Sequence, residues 1–311
     1  MRGVPQKICL TIVAGETMIG TGINGFIGLV NCIYWAKSRK LSLVDFILMS
    51  LAFSRILLLW IMLVDGMIRV LYMDSCDNIE NTQILGYLWI TASYFSASFV
   101  TFLNVFYFLK IAHFSHSLFL WLKWRITMVV LIILLGSLVS FLFLSLLLME
   151  EFKDDFIRST EIKEERNHTG PLQMRMSQII IVHIFLYFGP LILSTISLIS
   201  RFLLILSLWR HTSQMNLNAT GSRDPSTEAH IRVIRWMVSV LFFTVLYYFG
   251  ISLTFSTSRL EQRLEKVLGV AIAGFYPSGH SFILILGNSK LRQASLWVWQ
   301  QTLFCLRRGK P

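Results

Sequence analysis

Charge is scarce in this chain. Asp, Glu, Lys and Arg together make up 14% of its 311 residues, against about 25% in a soluble domain. Too little charge remains to cover a water-facing surface, which excludes an ordinary soluble enzyme and a disordered chain. Cysteine is also rare: Cys9, Cys32, Cys76 and Cys305 are the four. Residues 150–177 contain none, so no disulfide can tie that stretch to another segment. Catalytic signatures are missing too. There is no His-Glu-x-x-His, no Gly-x-Ser-x-Gly and no phosphate-binding glycine loop. His183 and His280 stand apart without neighbouring acids or cysteines, a poor metal pattern. Enzyme chemistry, a metal and a cofactor are therefore not expected.

What is abundant is apolar. The hydrophobic fraction is 55% and the mean hydropathy +0.63. A bilayer crossing takes about 20 mostly apolar residues. Seven runs qualify: 8–35, 43–64, 84–109, 126–149, 178–209, 236–257 and 267–288. The expected fold is an all-α membrane protein, a bundle of seven transmembrane helices. The fifth run exceeds a span and should tilt or project beyond the membrane. The seven residues before the first run are too few for a cleavable signal peptide, so that run should serve as the insertion signal. Residues 1–288 read as one transmembrane domain and 289–311 as a short tail. Leu291, Leu296, Trp297, Trp299 and Leu303 alternate with polar residues after the seventh run, the pattern of a short interfacial helix.

Charge placement sets orientation. The formal net charge is +11. Segments following runs one, three, five and seven hold sixteen basic and three acidic residues, a net +13. The opposite segments hold eleven basic and thirteen acidic residues, a net −2. Arg55 and Glu16, inside runs, cancel. The N-terminus is therefore expected outside and the C-terminus in the cytoplasm. The basicity is topological, so no nucleic acid is implied, whereas anionic membrane lipid would be attracted to the inner face. Two glycosylation sequons occur. On this topology Asn167 is accessible and Asn218 is not.

Some residues stand out against the apolar background. Arg55 at mid-membrane costs about 3 kcal/mol on insertion scales unless it is paired. Candidate partners are Asn24, Asn31, Ser50 and polar groups of the seventh run near Asn288. It is either a switch or a static clamp. Glu16 either faces an outer cavity and a cationic ligand, or is protonated, or pairs with a donor of the second or seventh run. Pro190 and Pro277 each remove a helix hydrogen bond and suit hinges or fixed bends. Trp89, Tyr94, Tyr187, Tyr247, Tyr248, Phe275 and Tyr276 occupy the outer halves of their runs. As a set they form a candidate pocket for flat apolar small molecules; individually, each is also compatible with plain packing. A seven-helix transporter or channel is the alternative. It would need a continuous polar path, and the uncharged fourth run and absent paired acids argue against one.

Further motifs resemble a known family. The acidic-Arg-Tyr and Asn-Pro-x-x-Tyr marks of rhodopsin-like receptors are absent. Instead the third run ends Phe106-Tyr107-Phe108-Leu109-Lys110-Ile111-Ala112, and the seventh contains His280-Ser281-Phe282-Ile283-Leu284 before Asn288-Ser289-Lys290. With Gly22-Ile23-Asn24-Gly25, Leu51-Ala52-Phe53-Ser54-Arg55 and Ser207-Leu208-Trp209-Arg210-His211-Thr212, the chain resembles the type 2 bitter taste receptors along nearly its whole length. The resemblance implies a G-protein-coupled receptor in the plasma membrane. Bitter small molecules would be its agonists and gustducin-type heterotrimeric G proteins its partners. It places Trp89, Tyr247 and Tyr276 on an outward pocket. Ser93 stands where relatives often have asparagine, and Val270 where several have glutamate. The pocket is therefore expected to be less polar and less suited to cations. Asn24, Arg55, Pro190 and His280 are the expected structural or switch residues. Tyr107, Lys110, His211 and Arg232 are the expected G-protein face, and Asn167 the glycan site.

Overall fold

In a computed structural model of the chain, residues 4–40, 42–71, 79–112, 114–161, 172–218, 225–255 and 263–308 are described. Among them are nine α-helices and no strand: α1 (Val4–Ser38), α2 (Leu43–Leu71), α3 (Ile79–Ile111), α4 (Ser117–Trp124), α5 (Ile126–Glu161), α6 (Leu172–Asn218), α7 (Pro225–Phe255), α8 (Arg263–Gly287) and α9 (Ser289–Arg308). Helix is forced by the solvent. Backbone amides in hydrocarbon must be satisfied within their own segment. Seven of the nine are long and apolar enough to cross a membrane: α1, α2, α3, α5, α6, α7 and α8. The chain is a multi-pass membrane protein with a seven-helix fold.

Each expected run falls on a helix, though residues 256–257 of the sixth lie outside the described residues and the seventh ends on Asn288, one residue past α8; several helices also run past the apolar stretch. α2 continues seven residues beyond Val64, and α6 has 47 residues where the apolar run has 32. Asp45 lies in the first turn of α2, where a carboxylate suits the positive end of the helix dipole. α4 was not anticipated. His116 caps it, accepting from the Leu118 amide at 3.3 Å, and Arg125 closes it on the Leu122 carbonyl at 3.1 Å. A ninth helix does follow the seventh span. Asn288 separates it from α8 as an N-cap: its Oδ1 accepts from the amides of Lys290 at 3.0 Å and Leu291 at 3.3 Å.

The chain divides into two compact units, residues 1–96 with 204–311, and residues 97–203. In the first, α1 packs on α2 and α8, α2 on α8, α7 on α8, and α8 on α9. Small residues set the α7–α8 spacing. A Cβ at Gly250 would stand 2.5 Å from the Gly269 carbonyl oxygen, so two glycines permit backbone contact there. In the second unit, Thr101 Oγ1 donates to the Leu193 carbonyl at 3.0 Å and Asn104 Nδ2 to Ser197 Oγ at 2.6 Å, joining α3 to α6. Phe108, Phe114 and Phe119 pack around one another at 5.3–6.2 Å between centroids. The apolar window of α5 is only 6% buried and that of α7 11%, which is the surface of helices solvated by lipid.

Candidate functional site

The site lies in the first unit and is built on Arg55. This residue of α2 is fully buried. Its Nη1 donates to Ser281 Oγ at 2.6 Å, and its Nη2 makes a short hydrogen bond to His280 Nδ1. A guanidinium only donates, so Nδ1 accepts and the ring proton sits on Nε2. Ser281 Oγ in turn donates to Asn24 Oδ1 at 2.6 Å, and Asn24 Nδ2 donates to the Gly20 carbonyl at 2.8 Å. One charge is thus satisfied by three helices, as a buried arginine requires. The sequence pointed to Asn24 and to the polar end of α8. It missed Ser281 as the central acceptor, and placed the contact near Asn288, about two turns too far along.

Asn31, another expected partner of Arg55, belongs elsewhere. It accepts from Lys290 Nζ at 2.9 Å, and the same ammonium meets Asp45 Oδ1 at 2.8 Å and lies 4.3 Å from the centre of the Tyr34 ring. This second cluster fastens α9 to α1 and α2.

An aromatic column rises from the arginine. Tyr276 stacks on His280 with centroids 5.5 Å apart and planes 19° apart, and the Arg55 guanidinium lies 5.6 Å from the Tyr276 ring centre. Tyr247 of α7 meets Tyr276 at 5.3 Å. Tyr247 and Trp89 pack in turn on a buried cluster that includes Val13, Leu58, Met62, Ala92, Val270 and Ala273. The Ser93 hydroxyl approaches the Tyr247 phenol and is otherwise buried, with no partner in hydrogen-bond geometry among the described residues. Tyr94 is buried one residue further along α3.

Trp89, Val270, Tyr247 and Tyr276 are thereby brought into one connected region, with Ser93 beside Tyr247. Two aromatics proposed for the same set are not interior. Tyr248 is 43% exposed and Phe275 46% exposed, because each neighbours an inward residue and a step of one turns a helix side chain by about 100°. Tyr187 and Pro190 fall within α6, but their side chains lie outside the described set, as does Asn167 altogether. Pro277 is buried inside α8, whose helix continues through it.

The residues expected to meet a G protein divide between the units. Tyr107 and Lys110 belong to the second, where Lys110 Nζ lies 5.4 Å from the Phe106 ring centre. His211 and Arg232 belong to the first. There the His211 and His230 rings meet edge to face at 5.2 Å, and Arg232 pairs with Glu228 at 3.4 Å on the exposed side of α7. Among the described residues, no group of three or more His, Cys, Asp or Glu could hold a metal ion.

Known proteins resemble this chain closely. A family model described as taste receptor protein (TAS2R) matches residues 1–303. Taste receptor type 2 member 7 of Papio hamadryas is 43% identical over 307 residues, covering 98% of this chain and 96% of the relative. Taste receptor type 2 member 10 of the same species is 42% identical over 309 residues, covering 99% and 98%. Among solved structures, squid rhodopsin superposes with a TM-score of 0.55 at 13% identity, over 97% of this chain and 88% of that one.

Proposed function

Since the chain belongs to the taste receptor protein family, we propose that it is a G-protein-coupled chemoreceptor for bitter small molecules, acting at the plasma membrane through gustducin-type G proteins. Residues 1–288 form the receptor domain, with the N-terminus outside, and 289–311 a cytoplasmic tail that meets inner-leaflet lipid. Agonists enter between α1, α2, α3, α7 and α8 and lie against Trp89, Ser93, Tyr94, Tyr247, Val270 and Tyr276. Tyr107, Lys110, His211 and Arg232 receive the G protein.

The observation that carries this reading is the unbroken contact from Tyr247 through Tyr276 and His280 to Arg55. An agonist that displaces Tyr247 or Tyr276 must alter the support of a buried cation. A ligand shifts an equilibrium only by its differential affinity for the two states, and this column supplies a route for that difference. Arg55 is then a switch, with Asn24 and His280 as its partners and Pro190 as a hinge in α6.

The test is calcium release in cells co-expressing the chain with a gustducin-type α-subunit, challenged with a broad panel of bitter compounds. Agonist-dependent release that vanishes without the α-subunit is the expected result. Silence across the panel, from a chain that reaches the cell surface, would sink the reading.

A further inference from the structure

Glu16 of α1 is an acid inside a membrane helix. It is 92% buried by its 8% exposure, and both carboxylate oxygens lack a hydrogen-bond partner among the described residues. Two cations of the same unit are answered by hydrogen bonds. Arg55 has Ser281 and His280, and Lys290 has Asn31 and Asp45. A buried carboxylate without a donor is costly to keep, so a side chain held in that condition calls for a reason.

Its position is built. Gly274 of α8 has no side chain where Oε2 lies; a Cβ there would run into Glu16 Oε2 and stand 3.4 Å from its Cδ. The carboxylate therefore fills the notch that glycine leaves. Ser278, one turn along α8, donates to the Glu16 backbone carbonyl at 3.5 Å and not to its carboxylate. Thr17 likewise spends its hydroxyl on the Val13 and Leu59 carbonyls, at 2.8 Å and 3.3 Å. These two neighbouring hydroxyls are thus committed to backbone, and neither oxygen of the acid receives a hydrogen bond among the described residues. One turn above it stand Val13 on α1 and Val270 on α8, both members of the apolar cluster on which Trp89 and Tyr247 pack.

We infer that Glu16 is the anionic anchor of the agonist site and that it pairs with the ammonium group of protonated amine agonists whose aromatic part lies among Trp89 and Tyr247. This rests on the chemoreceptor reading above and names a ligand class for it. An apolar wall with one desolvated carboxylate suits an arylalkylamine: the ring gains burial, and the ion pair is strong where water is excluded. It also reverses the expectation from Val270 that this pocket disfavours cations. The acid is supplied by α1.

The experiment uses arylalkylamines, each paired with the alcohol in which hydroxyl replaces the amino group, on the full receptor. Readouts are calcium release and surface labelling. Glu16→Gln should weaken the amines by about tenfold or more, the loss of one charge-assisted contact, and leave the alcohols within about threefold, a small fraction of that energy. Gly274→Ala, which pushes the carboxylate from its notch, should show the same selectivity. Equal losses for both members of each pair, or no loss for either, overturn the anchor and leave Glu16 a structural residue. A wild-type receptor that answers other compounds but no amine also overturns it. A wild-type receptor silent to every compound fails the chemoreceptor reading itself, a different result.

Discussion

Arg55 and Ser281 stand 226 residues apart in the chain and 2.6 Å apart in space. The serine hydroxyl is the hinge of the whole arrangement: it accepts from the guanidinium and donates to Asn24, so three helices share one oxygen atom. Removing Ser281 takes away the acceptor of Arg55 Nη1, and removing Arg55 takes away the donor to both Ser281 Oγ and His280 Nδ1. Arg55→Ala should therefore cost about 3–5 kcal/mol, the penalty for breaking a buried charged network, and Ser281→Ala about 1–3 kcal/mol. Arg55→Lys should rescue only partly, because an ammonium cannot offer two donors in a planar fork. Thermal denaturation of the solubilised receptor, with surface labelling in cells, reads these differences. An Arg55→Ala variant with wild-type stability would refute the hub.

The Lys290–Asp45 pair binds α9 to α2 at 2.8 Å with both side chains about four-fifths buried. Partial exposure limits its strength, so a double-mutant cycle with Lys290→Met and Asp45→Asn should return a coupling of about 0.5–1 kcal/mol. Amide exchange across residues 290–298 should accelerate in each single variant. Zero coupling would mean that Asn31 and Tyr34 alone hold the lysine.

Two glycines on the first unit should behave oppositely. A Cβ at Gly250 would lie 2.5 Å from the Gly269 carbonyl and 2.7 Å from the Ala273 amide nitrogen, so Gly250→Val should destabilise by about 1–3 kcal/mol or more. Gly15 meets nothing within 4 Å, and Gly15→Ala should be neutral or stabilise its helix by about 0.5–1 kcal/mol. Comparable melting temperatures for the two variants would contradict the close α7–α8 crossing.

Trp89→Ala should weaken several agonists by about tenfold, as expected when a large aromatic contact is truncated, while surface labelling stays normal. Tyr276→Ala should lower the maximal response as well, since this ring touches both Tyr247 and Arg55. Unchanged concentration–response curves for both variants would remove the column from signalling.

Orientation can be read from glycan. Asn167→Gln should increase gel mobility and match enzymatic deglycosylation, whereas Asn218→Gln should change nothing. Glycan on Asn218 would invert the topology.

Much of the fold was legible because it is a question of length and composition. Seven apolar runs became seven spans, and the pattern of Leu291, Leu296, Trp297, Trp299 and Leu303 marked a further helix after the seventh. α4 was not legible, since eight residues are too few to show a period. Tyr248 and Phe275 could not be told from Tyr247 and Tyr276, because an apolar helix in lipid has no polar face to reveal its rotation.

The candidate site shows where that boundary falls. Hydrocarbon cannot hydrogen-bond, so a chain this apolar and this poor in charge had to cross a membrane as helices, and a mid-span arginine had to find donors' counterparts nearby. Those demands follow from residue types along one dimension. Which oxygen answers Arg55, why Asn31 serves Lys290 instead, and why Glu16 rests against Gly274 without a donor depend on how each helix is rotated and shifted against its neighbours. Close packing of small residues such as Gly20, Gly250, Gly269 and Gly274 sets those rotations, and only the folded bundle contains that information.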